Sequence, residues 1–176
     1  MPPEPATYRF EQSEDRSPID FALSTRTEAA WTFRSQHVPG SERRGLPTLA
    51  MRFAPVLDDD GATTTRLLVL PIHFERPPGT GTPLIIRATL EASFDDGAHF
   101  TRVPIAVLGD RALAIILHPP GPTSVTLRGD ATDLAGNRIE QTITRAYLVR
   151  EPPALEMSCD RPKARGAGPV ERRGGR

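Results

Sequence analysis

Residues 84–97 of this 176-residue chain read LIIRATLEASFDDG, and they contain the clearest β-strand pattern in the sequence. Apolar side chains recur at every second position, which is the period of a β-strand with one buried face. We expect the inward series to be Ile86, Ala88, Leu90, Ala92 and Phe94. The Asp-Gly pair at positions 96–97 is a strong hairpin signal, because glycine accepts the positive φ that tight turns demand. The stretch therefore predicts an antiparallel strand followed by a turn.

The segments downstream repeat this pattern of short alternating runs separated by turn residues. The predicted partner strand carries Val103, Ile105 and Val107, and a Gly-Asp pair at positions 109–110 then turns the chain again. The three strands that follow are marked, in chain order, by Leu113, Ile115, Leu117, Val125, Leu127, Ala131, Ile139, Ile143 and Tyr147. Apolar residues of both parities occur near the end of the last strand, which predicts a bulge or burial on two sides.

Two further strands are predicted before residues 84–97. Leu49, Met51 and Phe53 alternate with polar residues in the first of them. In the second, the inward series is expected to be Leu68, Leu70, Ile72 and Phe74. Pro71 lies on the outward series of that strand and predicts an edge position, because proline has no N–H to give to a neighbouring strand.

Residues 46–150 thus contain about seven strands with frequent turns, a pattern typical of an immunoglobulin-like or fibronectin-like antiparallel β-sandwich. The 19 prolines and 14 glycines are too many for long helices and fall largely at the predicted turns. Residues 1–45 contain two plausible strands, at 6–11 and 28–35, which cannot bury a core alone. They either extend the sandwich or end a preceding domain. Residues 151–176 are poor in apolar side chains, so we expect a disordered basic tail.

Composition excludes several classes of function. The 22 basic and 22 acidic residues balance, so no overall field attracts nucleic acid or an anionic membrane. A single cysteine, Cys159, rules out an intrachain disulfide and a cysteine-based structural zinc site. No apolar run is long enough to insert into a membrane, and the first residues lack the features of a signal peptide.

No motif for catalysis or cofactor binding is found, and we expect no catalytic, cofactor-binding or metal-binding residues. The four histidines, His37, His73, His99 and His118, stand in unrelated contexts, and His73 and His118 are expected at the surface or rim. The run Asp58-Asp59-Asp60 offers oxygen ligands for weak calcium binding, but it lacks the spacing of a known calcium loop. A solvated turn is the preferred interpretation.

Two other groups of residues invite a site hypothesis. Asp130, Asp133 and Asn137 could converge, although bonds from their side chains to nearby backbone N–H groups explain Asp and Asn at a turn. Residues 93–100 read Ser-x-Asp-x-Gly-x-x-aromatic and look like the Asp-box hairpin of sialidase-type propellers, where the box is a structural turn. This likeness predicts only a hairpin turn at residues 93–100.

The order of motifs along residues 7–148 resembles a known family. The motifs are, in order, TYRFEQ at 7–12, LSTRT at 23–27, AWTFRS at 30–35, LP at 46–47, SFDDG at 93–97, VTLR at 125–128, ATDLAGN at 131–137 and QTITRAY at 141–147. This series is similar to the C-terminal β-rich region of secreted bacterial subtilisin-like serine peptidases. The resemblance implies an extracellular accessory module. The family's catalytic triad lies in a separate domain, and nothing in this chain matches it.

The resemblance leads to a first hypothesis of a non-catalytic accessory domain that supports or targets a protease domain in cis or in trans. The alternative is a stand-alone module that binds carbohydrate or cell wall. Such a module needs exposed aromatic rings on one face, and the candidates are Tyr8, Trp31 and Tyr147. A third possibility is a non-functional remnant, whose exposed strand edges near residues 6–35 would favour aggregation.

Overall fold

The computed structural model describes residues 4–40 and 43–152. The described chain is all-β, with two antiparallel sheets that do not close into a barrel. Sheet A contains β1 (Ala6–Asp15), β2 (Arg26–Ser35), β4 (Ala62–Thr63), β6 (Ile85–Ser93), β7 (Thr101–Val103), β10 (Thr123–Asp133) and β11 (Arg138–Val149). Sheet B contains β3 (Ala50–Phe53), β5 (Leu67–Glu75), β8 (Ile105–Leu108) and β9 (Arg111–Leu117). The predicted antiparallel β-sandwich is confirmed.

The order of the strands is that of an immunoglobulin-like sandwich. Sheet B runs β3-β5-β9-β8, which corresponds to the order A-B-E-D, and the β11-β10-β6-β7 part of sheet A corresponds to G-F-C-C′. The short β4 pairs in parallel with the end of β11, and all other pairings in the described chain are antiparallel.

The first two strands extend sheet A. β1 and β2 form a hairpin with an unbroken register from Ala6 opposite Ser35 to Asp15 opposite Arg26. β2 then pairs with β11 over seven residues. Of the two alternatives for this segment, extension of the sandwich is therefore what the structure shows. Both strands are longer than predicted, because the pairing continues through polar residues that carry no alternating apolar signal.

The core lies between the two sheets. Leu70, Ile72 and Phe74 on β5 face Leu90 on β6 and Leu127 on β10, and all are buried. Gly129 on β10 brings the sheets close together, since a Cβ there would meet Met51 and would lie 3.2 Å from the Phe53 ring. The predicted inward series of β3 and β5 are confirmed in this layer.

The inward series of β6 is partly wrong. Leu90 and Ala92 are buried as expected, but Ile86 is 61% exposed and its neighbour Ile85 is buried instead. The register between β6 and β10 shifts next to Ile85, and this bulge changes which side chain points inward. Two consecutive isoleucines give no sequence signal for the side on which such a shift occurs.

The predicted partner strand is in fact two strands. Val103 ends β7 in sheet A, whereas Ile105 begins β8 in sheet B, and Pro104 lies at the crossing. The hairpin between β6 and β7 is confirmed, as is the turn at 109–110 between β8 and β9. Period-2 alternation continues across the crossing, so the pattern alone predicts a single strand.

Two other strand features are corrected or confirmed. The edge position expected for Pro71 is wrong, since β5 lies between β3 and β9. Proline is accommodated because β3 ends opposite it, and its carbonyl accepts the N–H of Ala54 at 2.9 Å. The irregularity predicted for the last strand is confirmed: the register with β10 shifts beside Arg145, which has a φ of 55°.

Part of the predicted tail lies outside the described residues, because the structure describes only Glu151 and Pro152 of residues 151–176. The division of the chain into units at 45/46 and 150/151 stays a prediction. The described part of the chain contains no helix that could span a membrane.

Candidate interaction surface

The outer face of sheet B is a continuous apolar surface. Six large aliphatic side chains on it are between 44% and 67% exposed: Leu67, Val69, Leu108, Leu113, Ile115 and Leu117. Their strand pairing makes them neighbours, because Leu67 lies opposite Leu117 and Val69 lies opposite Ile115. Pro71 and Ala106 lie on the same face, each opposite Leu113. We call this set of eight residues the apolar face.

A group of charged residues borders the apolar face at one end. His73 lies opposite both Arg52 and Arg111, and Arg52 forms an ion pair with Glu75 at 2.8 Å. At the other end the apolar residues continue to Leu67 and Leu117, the first residue of β5 and the last of β9. The arrangement is therefore an apolar centre with a polar rim along one end.

The outer face of sheet A has the opposite character. Its exposed side chains form ion pairs across neighbouring strands, at 2.7 Å between Arg128 and Glu91 and at 2.5 Å between Arg138 and Asp130. Arg9 on β1 contacts Glu140 on β11 at 2.6 Å. These residues make the outer face of sheet A polar, as expected for a surface in contact with water. The contrast makes the apolar face a distinct feature of sheet B rather than a general property of this molecule.

The aromatic residues predicted for a carbohydrate site do not form an exposed platform. Tyr147 is fully buried. Tyr8 and Trp31 are partly buried and stack on neighbouring rings, Tyr8 on Phe33 at 6.0 Å and Trp31 on Phe10 at 5.4 Å. Phe10, which is 54% exposed, is the most accessible ring in this group, and sequence reasoning missed it as a candidate.

The surface position predicted for His118 is wrong. Its side chain is buried, and its Nδ1 lies 2.7 Å from the carbonyl oxygen of Thr65. Because a carbonyl only accepts, Nδ1 carries the proton, and Nε2 accepts from the hydroxyl of Tyr147 at 2.9 Å. Burial raises the pKa of that hydroxyl well above its usual range. The pair joins the ends of β9 and β11 in the core and exposes no base to a substrate.

Ser93, Asp95 and His99 contact one another at the turn after β6, but their hydrogen bonds do not connect them as in a catalytic triad. The hydroxyl of Ser93 lies 2.6 Å from the carboxylate of Asp95, whose other oxygen contacts Nδ1 of His99 at 2.7 Å. The hydrogen bond from Ser93, assisted by His99, lowers the pKa of Asp95 well below its usual range. A catalytic triad places histidine between serine and aspartate. Here Ser93 is buried with aspartate in the middle, so this histidine cannot act as its base.

The acidic loop forms a hydrogen-bonded turn. The carboxylate of Asp58 accepts the backbone N–H groups of Asp60 and Ala62 at 3.0 and 2.8 Å. Arg150 lies 2.9 Å from Asp60 and 3.7 Å from Asp58. Asp59 is exposed beside them. Across residues 4–40 and 43–152, no group of three or more His, Cys, Asp or Glu residues is positioned to hold a metal ion.

The second predicted acidic group is brought together only in part. The buried carboxylate of Asp133 accepts the backbone N–H of Asn137 at 3.0 Å, as expected for a turn. It also forms an ion pair with Arg76, from the connection between β5 and β6. Asp130 points to the outer face of sheet A and pairs with Arg138. The distant partner Arg76 has no signal in the sequence around the turn.

The candidates in the described chain make the core, turn and surface contacts given above, and Cys159 and its surroundings lie outside it. The apolar face was not predicted, although β9 contains a signal for it. Residues 112–117 are apolar at both parities, which indicates a strand whose two faces are both shielded from water. Comparison of the chain with protein-family models, with curated proteins and with solved structures gives no match.

Proposed function

We propose that this chain is a non-catalytic accessory sandwich that packs against another folded domain through the apolar face. The observation that carries the proposal is the row of half-exposed Leu, Ile and Val side chains on β5 and β9. The largest contiguous apolar patch on a typical monomeric soluble protein covers about 300–600 Å² and is often a functional surface. Here six half-exposed aliphatic side chains lie together on one sheet face.

The size of the apolar face favours a tethered partner. Complete burial of a large aliphatic side chain stabilises by about 1.5–3 kcal/mol, so the half-exposed residues contribute about 1 kcal/mol each. Six of them give about 6 kcal/mol before the costs of association, which by itself corresponds to weak binding. A partner in the same polypeptide avoids much of the association cost, because its effective concentration is high.

The motif series at residues 7–148 points to the chemistry of that partner. It resembles the C-terminal region of secreted subtilisin-like peptidases, in which a sandwich accompanies a catalytic domain. We therefore propose a subtilisin-like catalytic domain as the partner, in cis or in trans, and an extracellular location. The Ser93–Asp95–His99 arrangement supports a non-catalytic role for the sandwich, since it gives the serine no base.

A labelling experiment tests the non-catalytic part of the proposal. The purified chain is incubated with casein and with a fluorophosphonate probe that reacts with activated serines. We expect no cleavage and no labelling. Stoichiometric labelling that disappears in a single Ser→Ala variant would refute the proposal.

A calorimetric titration tests the docking part. The probe is an inactivated subtilisin-like catalytic domain from the same organism. Ile115→Glu places a charge in the centre of the apolar face and should weaken binding at least about tenfold, because a carboxylate buried without a partner is costly. Arg87→Glu is the matched control, since Arg87 is exposed on β6 of the other sheet. Equal affinity of both variants and the wild type would contradict the proposed surface.

The alternative of a carbohydrate or cell-wall module has one supporting observation, the stacked pair of Phe10 and Trp31. Stacking on sugars needs exposed rings, and Phe10 supplies one. Retention on chitin, cellulose or peptidoglycan that is lost in Phe10→Ala would favour this alternative. No retention on any of the three polysaccharides would remove it.

A further inference from the structure

The free edge of β1 is a long strand edge without a bulge or a proline. β1 lies at the end of sheet A, and its ten residues pair with β2 without a bulge. Natural edge strands are usually short, or are protected from pairing with another chain by charged side chains, a proline or a bulge. The sequence ATYRFEQSED of β1 has no proline, and its charged residues are of both signs, so a strand with complementary charges can pair with it. Its outer edge is therefore able to accept another strand.

We propose that the occupant of this edge is β1 of a second copy of the chain, paired antiparallel about a two-fold axis at Phe10. The strand is self-complementary in this register. Arg9 of each copy lies opposite Glu11 of the other, so two opposite-charge pairs form on the outer face. Thr7 then lies opposite Ser13, and no like charges face one another.

Neighbouring registers lack this complementarity. A shift of two residues in one direction places Arg9 opposite Arg9, and a shift in the other direction places Glu11 opposite Glu11. Like charges directly opposite one another destabilise a strand pair. A shift of one residue places the charged series of one copy opposite the apolar series of the other. Among the registers within two residues of one another, the charges on β1 therefore favour the one centred on Phe10.

The inner face of β1 supports the same arrangement. Phe10 is 54% exposed although it stacks on Trp31 at 5.4 Å. In the proposed register Phe10 lies opposite its own counterpart, so each ring covers the exposed side of the other. Pairs of aromatic residues across strands are among the more stabilising ones in sheets. The second copy thus covers an apolar group that the hairpin leaves in contact with water.

Disulfide trapping tests the register. In a Cys159→Ser background, Phe10→Cys should form a dimer on mild oxidation, because directly opposite residues have Cα atoms about 4.5–5.5 Å apart, within disulfide range. Arg9→Cys and Glu11→Cys report the two shifted registers, and Ile19→Cys, at a highly exposed loop position, reports random collision. Preferential trapping through Phe10→Cys supports the proposal. Trapping that is equal in all four variants, or preferential at another position, overturns it.

A charge swap tests the interaction without a covalent bond. Sedimentation velocity of the full chain over a range of concentrations should show a monomer–dimer equilibrium. Arg9→Glu and Glu11→Arg, each alone, should raise the dimer dissociation constant at least about tenfold, and the double variant should restore it to within about threefold. Within each chain Arg9 also contacts Glu11 and Glu140, both at 2.6 Å, so the recovery of the double variant is compared with the thermal stability of each variant. Arg87→Glu controls for net charge.

Two results would overturn the proposal. One is a wild-type chain that stays monomeric at every concentration. The other is a dimer that is insensitive to Arg9→Glu and dissociates in Ile115→Glu, because that dimer would use the apolar face of sheet B. Thermal melting of each variant shows whether its fold is intact, so that a loss of dimer in a folded variant is attributed to the edge of β1.

Discussion

The buried ion pair between Arg76 and Asp133 gives the sharpest prediction about the fold. The carboxylate of Asp133 is fully buried, and the side chain of Arg76 is 11% exposed. The pair joins the β5–β6 connection to the turn between β10 and β11. Arg76→Met removes the cation and leaves the carboxylate with the N–H groups of Asn137 as its remaining partners in the described chain.

The loss of stability expected for Arg76→Met follows from the burial of this ion pair. Removing one partner of a buried pair destabilises by about 3–5 kcal/mol, because an uncompensated charge remains in a medium of low polarity. For a domain of this size, that corresponds to a decrease of roughly 6–20 °C in melting temperature. Asp133→Asn should have a similar effect through the unpaired Arg76. The double variant should cost less than the sum of the two single changes.

Urea denaturation of the wild type, both single variants and the double variant measures these free energies of unfolding. Arg138→Met is the matched control, because its ion pair with Asp130 lies on the outer face of sheet A and should contribute less than about 1 kcal/mol. A cost below about 1 kcal/mol for Arg76→Met, or strict additivity in the double variant, would contradict a buried ion pair between Arg76 and Asp133. Either result would mean that the two connections do not meet in the interior.

Three further predictions concern the core and the turn after β6. Tyr147→Phe should destabilise by about 1–3 kcal/mol in thermal melts, because Nε2 of His118 loses its buried donor; an unchanged melting temperature would contradict the buried pair. Gly129→Ala should cost about 1–3 kcal/mol through overpacking against Met51, and in the Met51→Ala background it should cost much less. The pKa of Asp95 lies below its ordinary value, so the stabilisation it provides is present at neutral pH and is lost as the pH falls below about 4; a carboxyl ¹³C titration with a normal midpoint would disprove this.

Much of the sandwich could be predicted because its strands obey a simple alternation. Leu68, Leu70 and Ile72 on β5 follow period 2 without interruption, and all three are buried as expected. Prediction failed where the backbone departs from that period. The bulge beside Ile85 and the crossing at Pro104 both depend on contacts with the other strands, which local alternation does not contain.

The candidate surface was harder to predict for a different reason. Alternation assigns one apolar face to each strand, and Ile115 on β9 has the same sequence appearance as a core residue. The residues of β9 that are buried in the core are two alanines and one isoleucine: Ala112, Ala114 and Ile116. Only the three-dimensional pairing with Leu67 and Val69 shows that the larger residues lie together on the outside. Long-range partners such as Arg76 and His118 are likewise set by tertiary packing.

Methyl NMR tests whether the apolar face binds a catalytic domain, as we propose. The chain is labelled at Ile, Leu and Val methyl groups and titrated with an inactivated subtilisin-like catalytic domain from the same organism. We expect the methyl signals of Val69, Leu113, Ile115 and Leu117 to shift or broaden, while those of core residues such as Leu90 change little. Changes confined to other surfaces, or no change at saturating concentrations of the catalytic domain, would contradict it.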